Sequence, residues 1–135
     1  MNPVTRTPDE LRMDRITAMF GSVPFDNAVF NVAEDLADNY NGGFWDYYEV
    51  DGEFLYMAPD QGSYEVTVPG NGFTGTLNED AFGLVCTLMA LGYYMAWLYD
   101  TGDNETGERM HDLFYRVREY ALDHEKASTI MQAID

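Results

Sequence analysis

A chain of 135 residues with 46% apolar residues has the length and the core material for one folded domain, and that apolar content sets it apart from disordered acidic chains. A formal net charge of −17 disfavours direct binding to nucleic acid or to an anionic membrane surface. The lone cysteine, Cys86, leaves no intrachain disulfide and fits a reducing, cytoplasmic setting, and the charged stretch from Met1 to Phe20 lacks the apolar centre of a signal peptide.

In chain order, Thr7-Pro8-Asp9-Glu10 predicts a helix start with Thr7 as cap, Pro8 at the first helical position and Glu10 completing a capping box. Leu11, Ile16, Met19 and Phe20 give that helix its apolar stripe, and Gly21 ends it. A second helix is predicted from about Pro24 to Tyr40. Phe25, Val29, Val32, Ala33, Leu36 and Tyr40 recur at helical spacing, with Asp26, Asn31, Glu34, Asp35 and Asp38 at its other positions. Asn41-Gly42-Gly43 stops it.

Phe44 to Val50 and Glu53 to Ala58 read as a hairpin about Asp51-Gly52, a dipeptide that tolerates the positive φ of a two-residue turn. An unbroken ladder pairs Val50 with Glu53, Tyr48 with Leu55 and Asp46 with Met57 on a more aliphatic face expected to meet the core. The opposite face pairs Glu49 with Phe54, Tyr47 with Tyr56 and Trp45 with Ala58. This aromatic face is either covered by a helix or open to a partner, and coverage is favoured because large exposed apolar patches are uncommon.

Tyr64 to Val68 alternates as a third strand, and Phe73 to Thr76 is a short edge strand. Asn78 caps a long apolar helix with Glu79 and Asp80 in its first turn, where the helix dipole favours acids. Residues 81 to 99 are uncharged and long enough to suggest a membrane span. Gly83, Thr87, Gly92 and the tyrosines, with no flanking cation, favour a buried central helix instead. Asp100 to Gly107 reads as an acidic loop, followed by a helix from about Glu108 to Asp123 and a short last helix from about Glu125 to Ile134. The expected fold class is therefore α+β: a small antiparallel sheet of three to four strands packed with four to five helices, one of them long and central, in a single domain over residues 1–135.

Residues 16 to 108 contain no Lys, Arg or His and sixteen carboxylates. Local helix-face pairing cannot neutralise such a segment, so the domain must present a field of one sign. Seventeen charges equal those on about 29 Å of duplex DNA, a length comparable with the diameter of a compact chain this size. That density is necessary for DNA mimicry, but a mimic also needs its carboxylates in rows; a merely soluble acidic surface has the same composition.

Few residues suggest catalysis. His111 and His124 have no metal-binding spacing around them, and Cys86 has no cation beside it in sequence. Asp100-x-x-Asp103-x-Glu105-x-x-Glu108 departs from a calcium loop, with Gly102 at its third position and Glu105 at its sixth. No catalytic, metal-binding or cofactor-binding residue is assigned, and no cofactor is expected. Arg109, Arg116 and Arg118 are expected to pair with Asp112, Glu119 or the acidic loop.

Tyr40-Asn41-Gly42-Gly43-Phe44-Trp45-Asp46-Tyr47-Tyr48-Glu49 is followed in order by Tyr56-Met57-Ala58-Pro59, Asn71-Gly72-Phe73-x-Gly75-x-Leu77 and Asp80-Ala81-x-Gly83. This series, with Phe20-Gly21 and Arg118-Glu119-Tyr120-Ala121, resembles the ArdB/KlcA antirestriction family of plasmids and other mobile elements. The resemblance implies a small α+β protein that relieves type I restriction of incoming unmodified DNA, without cofactor or catalytic residues. It implies structural roles for Gly42, Gly43, Trp45, Met57, Ala58, Pro59, Asn71, Gly72, Asp80 and Gly83. The chain departs from the family in its acidity and in lacking a Leu-Pro before Phe20-Gly21.

The function these readings favour is binding rather than covalent chemistry. The expected contact surface is Asp46, Glu49, Asp51 and Glu53 around the hairpin with Trp45, Tyr47 and Tyr56, extended by Asp26, Glu34, Asp35 and Asp38. The expected partner is the host type I restriction-modification complex, or a regulator of it, approached through its basic surface. The alternatives are a small hydrolase using a carboxylate pair near Asp80, and an acidic adaptor acting on another defence system.

Overall fold

The computed structural model describes residues 2–135. Ten elements follow one another: β1 (Thr5–Arg6), α1 (Arg12–Phe20), α2 (Phe25–Leu36), β2 (Trp45–Val50), β3 (Glu53–Pro59), β4 (Ser63–Val68), β5 (Phe73–Asn78), α3 (Glu79–Asp100), α4 (Asn104–Leu122) and α5 (Ala127–Ile134). The class is α+β, with one long central helix as expected.

The strands are divided differently from the sequence expectation. β1, β2 and β3 form one antiparallel sheet in that order, while β4 and β5 pair only with each other. The third strand of the first sheet is thus the N-terminal Thr5–Arg6, set against Glu49 and Tyr48. A single bridge, Ala37 to Val66, ties β4 to the end of α2. Ala37 is extended, so α2 stops at Leu36 rather than near Tyr40.

The Asp51-Gly52 turn forms as its residue types require, with φ of 52° and 78°. The ladder beyond it is not continuous. Val50 faces Glu53 and Glu49 faces Phe54, but Tyr48 faces Tyr56, Tyr47 faces Met57, Asp46 faces Ala58 and Trp45 faces Pro59. Leu55 is the extra residue of a bulge, and every expected pair beyond it shifts by one. The aromatic side of β2 is the inward one: Trp45, Tyr47 and Glu49 are buried, while Asp46, Tyr48 and Val50 are half-buried. β3 is buried on both faces from Phe54 to Pro59.

α3 lies directly on β3. A Cβ added at Gly83 would stand 2.3 Å from Ala58 Cβ and 2.5 Å from the Met57 carbonyl oxygen. One helical turn later, the Thr87 hydroxyl lies 3.3 Å from both the Met57 N–H and its carbonyl oxygen. α3 is long and apolar enough to cross a bilayer, yet its residues from Ala81 to Leu88 are all buried in the fold. Burial also raises the Cys86 thiol pKa well above its ordinary value, consistent with an inert core residue.

The helix starts divide in the same way. Asn78 caps α3 by accepting from the Ala81 N–H at 2.9 Å, as expected. Thr7 does not cap: it is buried, and its hydroxyl donates to Glu49 Oε2 at 2.9 Å. The acidic loop is shorter than its composition suggests, because Asp103 caps α4 through the Thr106 N–H and the helix begins at Asn104.

Gly83→Ala is expected to cost about 1–3 kcal/mol, since the added methyl meets backbone rather than a movable side chain. Urea denaturation would show this as a lower midpoint at unchanged slope. An unchanged midpoint would mean that α3 can lift from β3 without loss.

Candidate functional site

The carboxylates of the hairpin are held by arginines from elsewhere in the chain. Arg15 Nε donates to Glu49 Oε2 at 2.7 Å, beside the Thr7 hydroxyl. Arg6 Nε donates to Asp46 Oδ1 at 2.7 Å. Arg12 lies over the rings of Phe44 and Tyr47, at 4.4 and 4.8 Å from their centroids. Its Nη2 is 3.1 Å from Asp9 and 3.7 Å from Asp46, an arrangement of charge attraction without an aligned hydrogen bond. Arg116 pairs with Glu53 at 3.1 Å instead of with neighbours on α4, and Arg109 donates to the Met19 carbonyl at 2.8 Å. Asp51, at the turn, accepts from Asn2 at 2.7 Å. The separation in sequence between acids and bases is thus removed by folding, because β1 and α1 bring their arginines onto β2.

The three aromatics expected at the contact surface are interior. Trp45 packs edge-on against Phe30 and Tyr40, and its indole N–H donates to the Tyr40 hydroxyl at 3.2 Å. Tyr47 donates to Asp26 Oδ2 at 3.1 Å. Tyr56 stacks on Tyr48 at 4.7 Å and donates to Asp80 Oδ1 at 2.8 Å. These rings are covered because both sides of the hairpin are needed to close the core.

Of the expected contact residues, Glu34, Asp35 and Asp38 are exposed and make no ion pair among the described residues. Glu34 and Asp35 follow Asn27 and Asn31 along the outer face of α2, and Asp38 lies just beyond the helix end. Asn39 joins the end of this face to β4, donating to the Ser63 carbonyl and accepting from the Glu65 N–H. Glu65 is exposed there, so its charge extends the acidic edge onto the second sheet. Of the expected contact residues, Glu34, Asp35 and Asp38 are thus free of ion pairs among the described residues, as is Asp51 at the turn, whereas Asp46, Glu49 and Glu53 are paired.

A second polar cluster sits at the α3 N-terminus. Asp80 receives the Tyr56 hydroxyl on one oxygen, and its other oxygen is 2.8 Å from His124 Nε2. His124 Nδ1 accepts from the Lys126 N–H at 2.9 Å, which places the ring proton of the neutral imidazole on Nε2. The Tyr120 hydroxyl lies 3.4 Å from that of Tyr56. The sequence gives His124 no partner, because Asp80 is 44 residues away. No cluster of three His, Cys, Asp or Glu side chains able to hold a metal occurs among the described residues.

Residues 38–135 match the family model described as antirestriction protein. The chain belongs to the antirestriction protein family. It is 34% identical over 139 residues to an antirestriction protein KlcA of Escherichia coli, covering 98% of this chain and 96% of that protein. It is 36% identical over 129 residues to a second KlcA of Escherichia coli, covering 95% and 80% of the two. Its fold is similar to the solved structure from work on KlcA and ArdB, with a TM-score of 0.84 at 37% identity over 99% of this chain and 96% of that one. That work describes a novel fold and antirestriction activity against type I DNA restriction systems in vivo but not in vitro.

In this antirestriction-family chain the motif residues serve the fold. Gly83 and the Met57-Ala58 backbone make the α3–β3 contact, and Asp80 ties that helix start to Tyr56 and His124. Asn71 holds the other end of the molecule. Its amide donates to the Ala133 carbonyl at 2.9 Å, satisfying the end of α5, while its side-chain oxygen accepts from Phe73 N–H. Gly42 and Gly43, with φ of 93° and 111°, turn the chain into β2.

Burial raises the phenol pKa of Tyr56, helped by the neighbouring Tyr120 hydroxyl and Asp80 charge. Burial likewise raises that of Tyr47, next to Asp26. A group kept neutral by the folded state contributes its full stability below the free tyrosine pKa of about 10. Above it, stability falls by up to ~1.4 kcal/mol per pH unit for each such tyrosine. In an alkaline titration followed by phenolate absorbance, Tyr47 and Tyr56 are expected to ionise only as the protein unfolds. Smooth ionisation of all ten tyrosines with the fold intact would refute this.

Proposed function

We propose that this chain relieves type I restriction of unmodified DNA in the bacterial cytoplasm by non-covalent binding. The observation that carries this reading is near-complete coverage by KlcA relatives at 34–36% identity, together with the KlcA/ArdB fold. The acidic face formed by Glu34 and Asp35 on α2 and Asp38 just beyond its end is the proposed contact surface, steering toward a basic partner in the restriction machinery or its control. Asp46, Glu49 and Glu53 are already paired internally, so the hairpin offers no free row of charge such as a DNA mimic requires. This favours a partner that regulates the nuclease over occupation of the nuclease's DNA channel, and it agrees with activity seen for the relatives in vivo but not in vitro.

Expression of the chain is expected to raise the plating efficiency of unmodified phage on a host with an active type I system, with no change on a restriction-deficient host. Reversing these three charges with Glu34→Lys, Asp35→Lys and Asp38→Lys is expected to reduce that relief while leaving the denaturation midpoint nearly unchanged, as for exposed unpaired groups. Soluble wild-type protein without any rise in plating would overturn the functional reading. Full relief by the triple variant would overturn only the assignment of the surface.

A further inference from the structure

α3 contains two interior glycines, and only one is explained by the fold. Gly83 is required by its contact with Ala58, whereas a Cβ at Gly92 would meet nothing within 4 Å. A mid-helix glycine weakens a helix relative to alanine, so internal packing gives no reason for it here. Gly92 lines a groove about 760 Å³ in volume. α2 forms one wall through Val32 and Leu36, and Phe114, the Pro69–Asn71 turn and the end of α5 form the rest.

The outer face of α3 continues this groove. Met89, Gly92, Tyr93, Ala96 and Trp97 recur at the three- and four-residue spacing of a single helix face. Tyr93 is 63% exposed and Trp97 58%, the two most exposed aromatics described. Their exposure on the central helix of a well-packed core is the arrangement of an interaction surface. Asp35 and Asp135 stand at the groove, its lining residues include no cation, and Asp100 ends the same face. A second copy carrying −17 would bring like charge to this rim.

We propose that the groove along the outer face of α3 docks an amphipathic helix of a partner protein, its apolar side laid over Gly92 between Met89 and Trp97 and its basic residues facing Asp35 and Asp100. Gly92 permits close approach of the incoming backbone, and Tyr93 and Trp97 supply anchoring aromatic area. The surface is separate from the outer acidic row of α2 except at Asp35, and its binding can be read without reference to restriction.

The test uses the full chain and three labelled peptides of about 18 residues, or five helical turns: a Leu/Lys amphipathic helix, its scrambled isomer of equal charge, and a Leu/Glu counterpart. Anisotropy is expected to show the Leu/Lys helix binding at least about tenfold tighter than its isomer, with the Leu/Glu helix not binding. Trp97 emission is expected to shift to the blue on binding, and Trp97→Phe removes the shift. Gly92→Leu is expected to weaken binding about tenfold or more at unchanged net charge, while Gly92→Ala raises the denaturation midpoint and shows that the site tolerates a side chain. Equal binding of the scrambled isomer would reduce the interaction to bulk charge and overturn the proposal, as would binding unaffected by Gly92→Leu. Self-association of the chain abolished by Gly92→Leu would replace the partner helix with a second copy. A Trp97 blue shift on zwitterionic vesicles without peptide binding would replace it with a membrane surface.

Discussion

The contact between Gly83 and Ala58 sets the distance from which the rest of the molecule is built. Because α3 meets the β3 backbone without an intervening side chain, Thr87 reaches the Met57 peptide group and Asp80 reaches the Tyr56 hydroxyl. The same approach brings Phe82 against the rings of Tyr64 and Trp45, joining the second sheet to the first through one aromatic layer. A side chain larger than hydrogen at position 83 would separate all of these at once, since protein interiors accommodate extra volume poorly.

Charge is distributed by a second constraint, the scarcity of cations. Arg6, Arg12 and Arg15 are all placed at the hairpin by the short strand and first helix that precede it, and Arg116 adds a fourth contact there. The hairpin is neutralised and closes into the core. The uncompensated field is left to α2, β4 and the helix ends, where solvent screens it least when a partner excludes water. An overall charge suited to mimicry of DNA is thereby divided into a structural part and a free part, and only the free part can steer a partner.

Much of the fold was legible where one residue type has one local physical consequence. Asp51-Gly52 announced its turn because few dipeptides tolerate two positive φ values, and Asn78 announced a helix start through its side-chain oxygen. The Leu55 bulge was not legible. Alternation reads the same on either side of an inserted residue when β3 is buried on both faces, so no polar position marked the shift. Thr7 carried a local capping signal, but a buried carboxylate 42 residues away competed successfully for its hydroxyl. The candidate site divided along the same line: Glu34, Asp35 and Asp38 are exposed, whereas Trp45, Tyr47 and Tyr56 fill the core.

The sequence by itself determined the α+β class, the long apolar helix, the net acidity and the likeness to antirestriction proteins. Each depends on composition, local spacing or ordered motifs, which need no knowledge of what lies across the core. Only the tertiary structure decided which carboxylates stay free, which glycine the packing requires, and which face of α3 is left uncovered. Those outcomes depend on contacts between residues about 25 to 60 or more positions apart, such as Gly83 with Ala58, Arg15 with Glu49 and Arg116 with Glu53, and a one-dimensional pattern does not encode which distant group arrives to satisfy a given side chain.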